Sequence, residues 1–389
     1  MRTILTLLFL VCVVAVHADD ERIFIDAKIN GKPVRLAFDS GMGVDFALSS
    51  TTAQKLNLKV TAPPADTRIG PGQTLVEWTA PQKLDLGSTN IETGFAVLSV
   101  PPGTKPDFDG IIGWPAVRDN VLHLDCASHL FGPFTNALSE LSGWVKCHIQ
   151  SNPDLTLELP GENPPNEIIA LDSGTIYGVK FNRKKWREWK AAHTHQPMTL
   201  TAYYAMNTGG LVVSEEAWAD EISLGPLTLT DVPVTEATSG DIALHSSSTA
   251  QYEATLGFAA LKRLDVVIDG IHGVAYLRPK DTPPMPYEYN RLGAVFAPKD
   301  LQSHDLLAHV IKRSPAYDAG IRNGDVLLKI DNRDVTDWRD DPNVKINSAF
   351  CDQPSGTKIE LTLNRGGKIF RTTVTLQNIF PPDSAARSN

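Results

Sequence analysis

The chain has 389 residues, of which 42% are hydrophobic and 21% are charged, and its formal net charge is -9 at pH 7. This length predicts two or three domains, and the composition excludes general disorder. The acidic balance argues against nucleic acid or an anionic membrane surface as the main partner.

The first eighteen residues have the pattern of a secretory signal peptide. Arg2 gives a positive start, residues 4–16 are almost wholly apolar, and Val16-His17-Ala18 fits a cleavage site. The apolar run is too short to stay in a bilayer as a spanning helix. We therefore expect export to the periplasm, the cell surface or the medium, with no stable membrane span after cleavage; an uncleaved anchor is the alternative.

Three cysteines remain after cleavage: Cys126, Cys147 and Cys351. In an oxidising compartment Cys126 and Cys147 could pair, and three buried free thiols are an equal alternative. No Cys/His cluster has the spacing of metal ligands. We therefore expect neither a metal nor a cofactor.

Short apolar or alternating segments, separated by turns, dominate the chain from residue 21 and predict a mainly β fold. Helical periods are best at residues 51–58 and 184–192, and in the second we expect Trp186 and Trp189 to pack on the body of their own domain, 151–280. Proline-rich stretches at 153–166 and 279–286 look like spacers. They divide the mature chain into 21–150, 151–280 and 287–380.

The first two of these pieces carry the same motifs in the same order, which indicates a duplication. In the first piece, Asp39-Ser40-Gly41 follows an apolar strand, and Ile111-Ile112-Gly113 comes later. In the second piece, Asp172-Ser173-Gly174-Thr175 follows an apolar strand, and Thr255-Leu256-Gly257 comes later. One such triplet is typical of an ordinary turn. Two copies at matching spacing indicate a shared function.

The paired motifs resemble the two half-sites of aspartic peptidases, in the single-chain arrangement of pepsin-like members and with compact lobes close to retropepsin in size. The resemblance implies two pseudo-twofold-related β-barrel lobes, each supplying one catalytic aspartate at a loop tip. Asp39 and Asp172 would share one proton and activate a water that attacks a peptide bond. Protein or peptide substrates are the partners that this chemistry implies.

The resemblance also gives roles to the residues around the two acids. The serine hydroxyls would hydrogen-bond across to the opposite loop, the triplet glycines would make tight turns, and a later strand ending in glycine would support each loop. The residues that match these roles are Ser40, Gly41, Ser173, Gly174, Thr175, Gly113 and Gly257. Residues 68–78 and 203–211 are the candidate flaps over the cleft, and a plain hairpin turn is the alternative favoured for either one alone.

One position departs from the pattern of pepsin-like half-sites, in which a hydroxyl residue follows the triplet glycine and hydrogen-bonds the aspartate. Thr175 fits this pattern, whereas Met42 has no donor. A hydroxyl donor stabilises a charged carboxylate. We therefore expect Asp172 to hold the charge and Asp39 to hold the proton more often. The alternative is a degenerate, inactive pseudo-peptidase that serves as a scaffold.

Residues 314–331 resemble the central segment of bacterial PDZ domains, which implies a small α+β domain over 287–380. Ser314 and Pro315 would begin a short helix. The resemblance assigns capture of peptide C-termini to a loop and strand formed by Leu292, Gly293, Ala294 and Val295, with residues 344–350 as a lining helix. A PDZ fold that only packs on the peptidase is the alternative. Serine hydrolase and zinc peptidase motifs, G-x-S-x-G and H-E-x-x-H, are absent.

Overall fold

The computed structural model describes residues 22–62, 77–87, 89–98, 107–161, 166–205, 210–237, 252–281, 287–299, 303–338 and 350–380, without the side chains of 203–205 and 210–211. The predicted signal peptide, most of the first predicted flap, the tip of the second and most of the predicted helix at 344–350 lie outside these residues. The described chain is mainly β and forms three sheets, as the sequence predicts.

The first sheet has nine strands in the order β4-β5-β8-β3-β9-β2-β1-β6-β7. Its strands are β1 Phe24–Ile29, β2 Lys32–Asp39, β3 Phe46–Ser49, β4 Val60–Thr61, β5 Glu77–Thr79, β6 Gln82–Asp85, β7 Asn90–Thr93, β8 Ala96–Leu98 and β9 Gly110–Gly113. The helix α1, Ser50–Lys55, follows β3 and begins where the Ser49 side chain accepts a hydrogen bond from the N–H of Thr52.

The second sheet has twelve strands in the order β11-β10-β20-β21-β12-β13-β14-β19-β15-β18-β17-β16. They are β10 Val121–Asp125, β11 Leu130–Pro133, β12 Val145–Ile149, β13 Thr156–Leu159, β14 Glu167–Asp172, β15 Val179–Phe181, β16 Met198–Ala205, β17 Gly210–Leu224, β18 Leu227–Glu236, β19 Ala254–Gly257, β20 Leu264–Asp269 and β21 Val274–Pro279. Short 3-10 helices lie at Trp114–Ala116 and Leu138–Leu141, and helices α2 and α3 at Arg183–Ala192 and Phe258–Leu261.

Strands β10 to β12 belong to this second sheet, although the sequence places residues 121–149 in the first piece. Strand β10 pairs with β20 and β12 pairs with β21, both antiparallel. The proline-rich stretch 153–166, predicted to be a spacer, contains β13, in which Leu157 and Leu159 are fully buried on one face. Leu155 and Thr156 are also fully buried, so this stretch lies inside the molecule despite the neighbouring prolines.

The two lobes share one continuous apolar core, while the third sheet has a core of its own. Helix α2 joins the shared core through Trp186 and Trp189, whose rings stack with centroids 5.5 Å apart. Both side chains are buried, at 2% and 9% exposure, so the predicted packing of this amphipathic helix is confirmed. The Asn182 side chain caps the helix by accepting from the N–H of Lys185.

The third sheet follows the second lobe and has six strands, with β22 at one edge. Its elements are β22 Ala294–Pro298, β23 Leu306–Val310, α4 Pro315–Asp318, β24 Val326–Ile330, β25 Arg333–Asp334, β26 Lys358–Arg365 and β27 Lys368–Thr375. The predicted helix start is confirmed, because the Ser314 side chain accepts from the N–H of Tyr317 and Pro315 is the first helical residue.

Cys126, Cys147 and Cys351 are all buried free thiols, which is one of the two alternatives left open by the sequence. Burial raises the pKa of the Cys147 thiol to about 12. No helix among the described residues has the length and apolar character needed to cross a membrane.

Replacement of Trp186 by alanine tests whether α2 is part of the shared core. Because the indole is 2% exposed, we expect Trp186→Ala to lower the free energy of unfolding by about 3–5 kcal/mol in urea titrations. The matched control is Ile271→Ala, since Ile271 is 60% exposed and its truncation should change stability by less than about 0.5 kcal/mol. Equal effects of the two variants would contradict the packing described here.

Candidate active site

Each Asp-Ser-Gly loop follows a strand that runs parallel to the apolar-apolar-Gly strand of the same copy. In the first lobe β2 runs parallel to β9, and Asp39 is paired with Gly113. In the second lobe β14 runs parallel to β19, and Asp172 is paired with Gly257. Each apolar-apolar-Gly strand thus lies beside the strand that carries the aspartate, and the register of the two copies is the same.

The two serines lock the loops together across the lobes. The N–H of Ser40 donates to Oγ of Ser173 at 3.0 Å, and the N–H of Ser173 donates to Oγ of Ser40 at 3.0 Å. Each hydroxyl then donates to a main-chain carbonyl of the opposite lobe: Ser40 to Leu171 at 2.7 Å, and Ser173 to Phe38 at 3.1 Å. Both serines are fully buried, so all four bonds are shielded from water.

The triplet glycines lie directly against the opposite acids. A Cβ atom placed on Gly41 would stand 2.7 Å from Cγ of Asp172, and one placed on Gly174 would be closer still to Cγ of Asp39. No larger residue fits at these positions without moving an acid. The crossed contacts place each acid against the loop of the opposite lobe, and Asp39 lies close enough to Asp172 to feel its charge. Both aspartates remain partly exposed, which leaves room for a water or a substrate.

The surroundings of Asp39 raise the pKa of its carboxyl group. The pKa of Asp39 is raised from 3.8 to about 7 by the loss of solvent around its carboxyl group and by the nearby charge of Asp172. The hydrogen bond from the N–H of Gly41 acts in the opposite direction. The apolar side chain of Met42 is buried beside this loop, at 6% exposure, and packs with Ala47 and Ile111. An apolar neighbour of this kind adds to the desolvation of the acid.

The donors around the two acids differ in number. Among the described residues, Asp39 accepts one backbone N–H, from Gly41 at 2.8 Å, whereas Asp172 accepts two, from Gly174 and Thr175, both at 3.1 Å. Thr175 therefore reaches Asp172 through its backbone and not through the predicted hydroxyl. A reason is visible in the packing, since its methyl group faces Gly257 in the strand beneath. These donors still support the predicted asymmetry, in which the charge is favoured on Asp172.

Main-chain bonds hold each loop on its supporting strand. The N–H of Trp114 donates to the carbonyl of Met42, and the N–H of Phe258 donates to the carbonyl of Thr175. Sequence reasoning missed a further contact, from the N–H of Leu155 to the carbonyl of Ser40. A backbone bond between distant segments leaves no signal in the residue types.

The hairpin of β16 and β17 contains the second predicted flap and stands next to the catalytic loop. The Tyr177 hydroxyl, five residues after Asp172, donates to the carbonyl of Ala202 in β16 at 2.9 Å. Strand register pairs Tyr203 with Val212 and Tyr204 with Leu211, so the described residues on the two sides of 206–209 form an antiparallel pair. Nothing in the sequence singled out Tyr177 as the link to this hairpin.

The predicted peptide-binding loop of the third domain is assembled but closed. Leu292, Gly293, Ala294 and Val295 lie together and are all buried. The N–H groups of Leu292 and Gly293 donate to Oδ1 of Asn290 at 2.9 and 3.1 Å, so a side chain of the same chain occupies these donors. No group of three or more possible metal ligands occurs in the part of the chain that the structure describes.

Two family models match separate parts of the chain, and two solved structures show similarity to it. Residues 25–116 match the family model described as aspartyl protease, and residues 308–365 match that of the PDZ domain. The retroviral protease-like domain of Ddi1 from Leishmania major is similar over 24% of this chain and 71% of its own, at 20% identity and a TM-score of 0.18. The aspartic proteinase from Irpex lacteus is similar over 66% of this chain and 94% of its own, at 15% identity and a TM-score of 0.37. No curated protein sequence matches the chain.

The aspartyl protease match in the first lobe and the same strand register around Asp172 in the second support a two-lobed, mainly β, aspartic protease-like fold. The chain combines this fold with a PDZ domain that follows the second lobe. This combination supports a peptidase-type hydrolase with peptide or protein partners.

Loss of either serine hydroxyl should weaken the contact between the lobes. Ser40→Ala leaves the N–H of Ser173 and the carbonyl of Leu171 buried without a partner, so we expect a loss of at least about 2 kcal/mol in the free energy of unfolding. Ser173→Ala should cost a similar amount, because its bonds are the mirror of these. Ser223→Ala is the control, since Ser223 is exposed. Urea titrations in which all three variants match the wild type would contradict the interlock.

The raised pKa of Asp39 predicts a pH-dependent stability. The folded chain holds this proton more tightly than the unfolded chain, so stability is complete below about pH 4 and falls as the pH rises toward about 7. Asn carries no charge, so Asp39→Asn should abolish this fall and be more stable than the wild type at pH 8. Urea titrations from pH 4 to pH 8 measure the slope, with Asp220→Asn as an exposed control. Parallel curves for wild type and Asp39→Asn would refute the raised pKa.

Proposed function

We propose that this protein is an aspartic endopeptidase in which Asp39 and Asp172 jointly activate a water molecule. The observation that carries the proposal is the crossed contact of each triplet glycine with the opposite aspartate. This contact brings together two carboxyl groups that lie 133 positions apart in the chain. Two carboxyl groups so placed share one proton, because both cannot ionise easily at short range.

The reaction follows from the different surroundings of the two acids. Asp172, with two N–H donors, carries the charge and removes a proton from the water as it attacks the peptide carbonyl. Asp39 donates its proton toward the carbonyl oxygen as negative charge develops there. As the tetrahedral intermediate collapses, its hydroxyl returns a proton to Asp39, the peptide C–N bond breaks, and the leaving amine takes up the proton that Asp172 removed from the water. The water supplies the oxygen of the new carboxyl group, so the atoms balance.

The supporting residues keep the acids in register. Ser40 and Ser173 fix the two loops to each other, and Gly41 and Gly174 let the acids approach. Met42 takes the place of a hydroxyl donor, which is the feature that favours a pseudo-peptidase. The backbone donors of Gly41, Gly174 and Thr175 supply hydrogen bonds that need no such hydroxyl.

We also propose that the protein is exported by the signal sequence within residues 1–18 and acts on peptides outside the cytoplasm. The PDZ domain suggests a second role, the recruitment of peptide C-termini, which the closed state of its loop would regulate.

Cleavage of an unstructured protein tests the proposed activity. We expect cleavage by the wild type, inhibition by a pepstatin-like transition-state analogue, and loss of at least about 10²-fold in kcat/KM for both Asp39→Asn and Asp172→Asn. The rate should also fall above about pH 7 as Asp39 loses its proton. Asp220→Asn is the control and should keep full activity. Unchanged cleavage in either catalytic variant would exclude the proposed pair, and absence of cleavage at every pH in the wild type would favour the scaffold.

A further inference from the structure

The PDZ domain packs against strand β16, which belongs to the hairpin next to the loop of Asp172. Strand β16 is the edge of the second sheet and β22 is the edge of the third. Val295 and Ala297 of β22 are buried against Leu200 of β16, with Val213 of β17 and Ile311 packed around them. The strand expected to accept a peptide is therefore covered by the peptidase lobe of the same chain.

A second apolar contact extends this docking surface. Trp218 of β17 is buried with Tyr289 and Phe380 from the two ends of the PDZ domain. The ring of Trp218 lies 6.1 Å from that of Phe380, and the rings of Tyr289 and Phe380 lie 4.4 Å apart. The Tyr287 hydroxyl adds a polar contact by donating to the buried carboxylate of Glu216 at 2.5 Å. The domain is thus attached at several points.

The predicted peptide-binding loop, residues 292–295, is called the amide loop below. The side chain of Asn290 connects it to the hairpin of β16 and β17. Its Oδ1 accepts from the N–H groups of Leu292 and Gly293, as described above. Its Nδ2 donates to the carbonyl of Leu200 at 2.9 Å and to the carbonyl of Ala294 at 2.8 Å. The Thr199 hydroxyl donates in turn to the carbonyl of Asn290 at 2.5 Å. Asn290 is 8% exposed, so these bonds form in a site that water hardly reaches.

We propose that the amide loop is a latch operated by peptide C-termini, in which Asn290 is an internal ligand that a terminal carboxylate displaces. A carboxylate forms stronger bonds to N–H donors than a neutral amide oxygen does, so an incoming C-terminus can compete for Leu292 and Gly293. Rotation of Asn290 out of the loop breaks its bond to Leu200. Capture of a C-terminus then loosens the PDZ domain from β16.

The consequence reaches the catalytic loop by a short path. Ala202 lies two residues after Leu200 on β16, and its carbonyl accepts the hydroxyl of Tyr177. A peptide that binds the released state better than the docked state shifts the hairpin toward the released state. The binding part of this inference is independent of catalysis, and its effect on cleavage rests on the proposed endopeptidase activity.

Peptide binding to variants of the full chain tests the latch. In an Asp172→Asn background, a fluorescent decapeptide ending in valine with a free carboxylate should bind at least about tenfold tighter than its C-terminal amide. The Asn290→Ala variant should bind the free acid several-fold tighter than the chain that keeps Asn290, because the N–H groups of Leu292 and Gly293 are then unoccupied. Asn290→Asp should bind it more weakly, because its own carboxylate holds the donors and repels the ligand. Asn323→Ala is the matched control: Asn323 bonds the N–H of Val310 in the same domain, and its removal should leave the affinity unchanged.

Hydrogen exchange measures the coupling to the peptidase lobe. Saturation with the free-acid peptide should speed amide exchange in residues 198–202 at least about threefold, whereas the amidated peptide should not. Equal binding of the acid and the amide, or equal affinities of the Ala, Asn and Asp forms at position 290, would overturn the internal-ligand assignment. Tight binding of the acid with unchanged exchange in residues 198–202 would overturn the latch. If Asn290→Ala does not fold, the comparison of the wild type with Asn290→Asp still tests whether Asn290 is an internal ligand.

Discussion

The reciprocal hydrogen bonds of Ser40 and Ser173 are the constraint on which the site depends. Each hydroxyl accepts one bond and donates another, and both pairs cross from one lobe to the other. Because both serines are fully buried, a relative movement of the lobes would leave several polar groups without partners and without water. The catalytic-loop glycines and the two carboxyl groups take their positions from this interlock.

The surroundings of the acids differ although the two loops are near copies. On the first loop the residue after the glycine is Met42, which is buried among apolar side chains. On the second loop the residue is Thr175, whose N–H points to Asp172. Desolvation on one side and an extra donor on the other act in the same direction, because both favour the proton on Asp39. A duplicated fold thus gives the two acids different surroundings.

The sequence revealed the half-sites because strand, triplet and supporting strand recur at equal spacing. It also revealed the amphipathic helix that carries Trp186 and the cap at Ser314, since both depend on local patterns. It did not reveal which atom of Thr175 reaches Asp172, because packing against Gly257 decides the orientation of that side chain. Nor did it place residues 121–149 in the second sheet, since local alternation identifies a strand but not its partner. The role of Asn290 depends on contacts with a distant strand and has no signature of its own.

The path of the chain through the second sheet has a consequence for biogenesis. Val121 in β10 pairs with Asp269 in β20. The strands that are synthesised early can therefore complete their backbone hydrogen bonds only after most of the second lobe has been made. Pairings of such long sequence separation form slowly. Until then the edges of β10 and β12 are open to aggregation, and a chain cut after residue 150 would keep them open permanently. A separate N-terminal half would therefore present the edges of β10 and β12 to other chains.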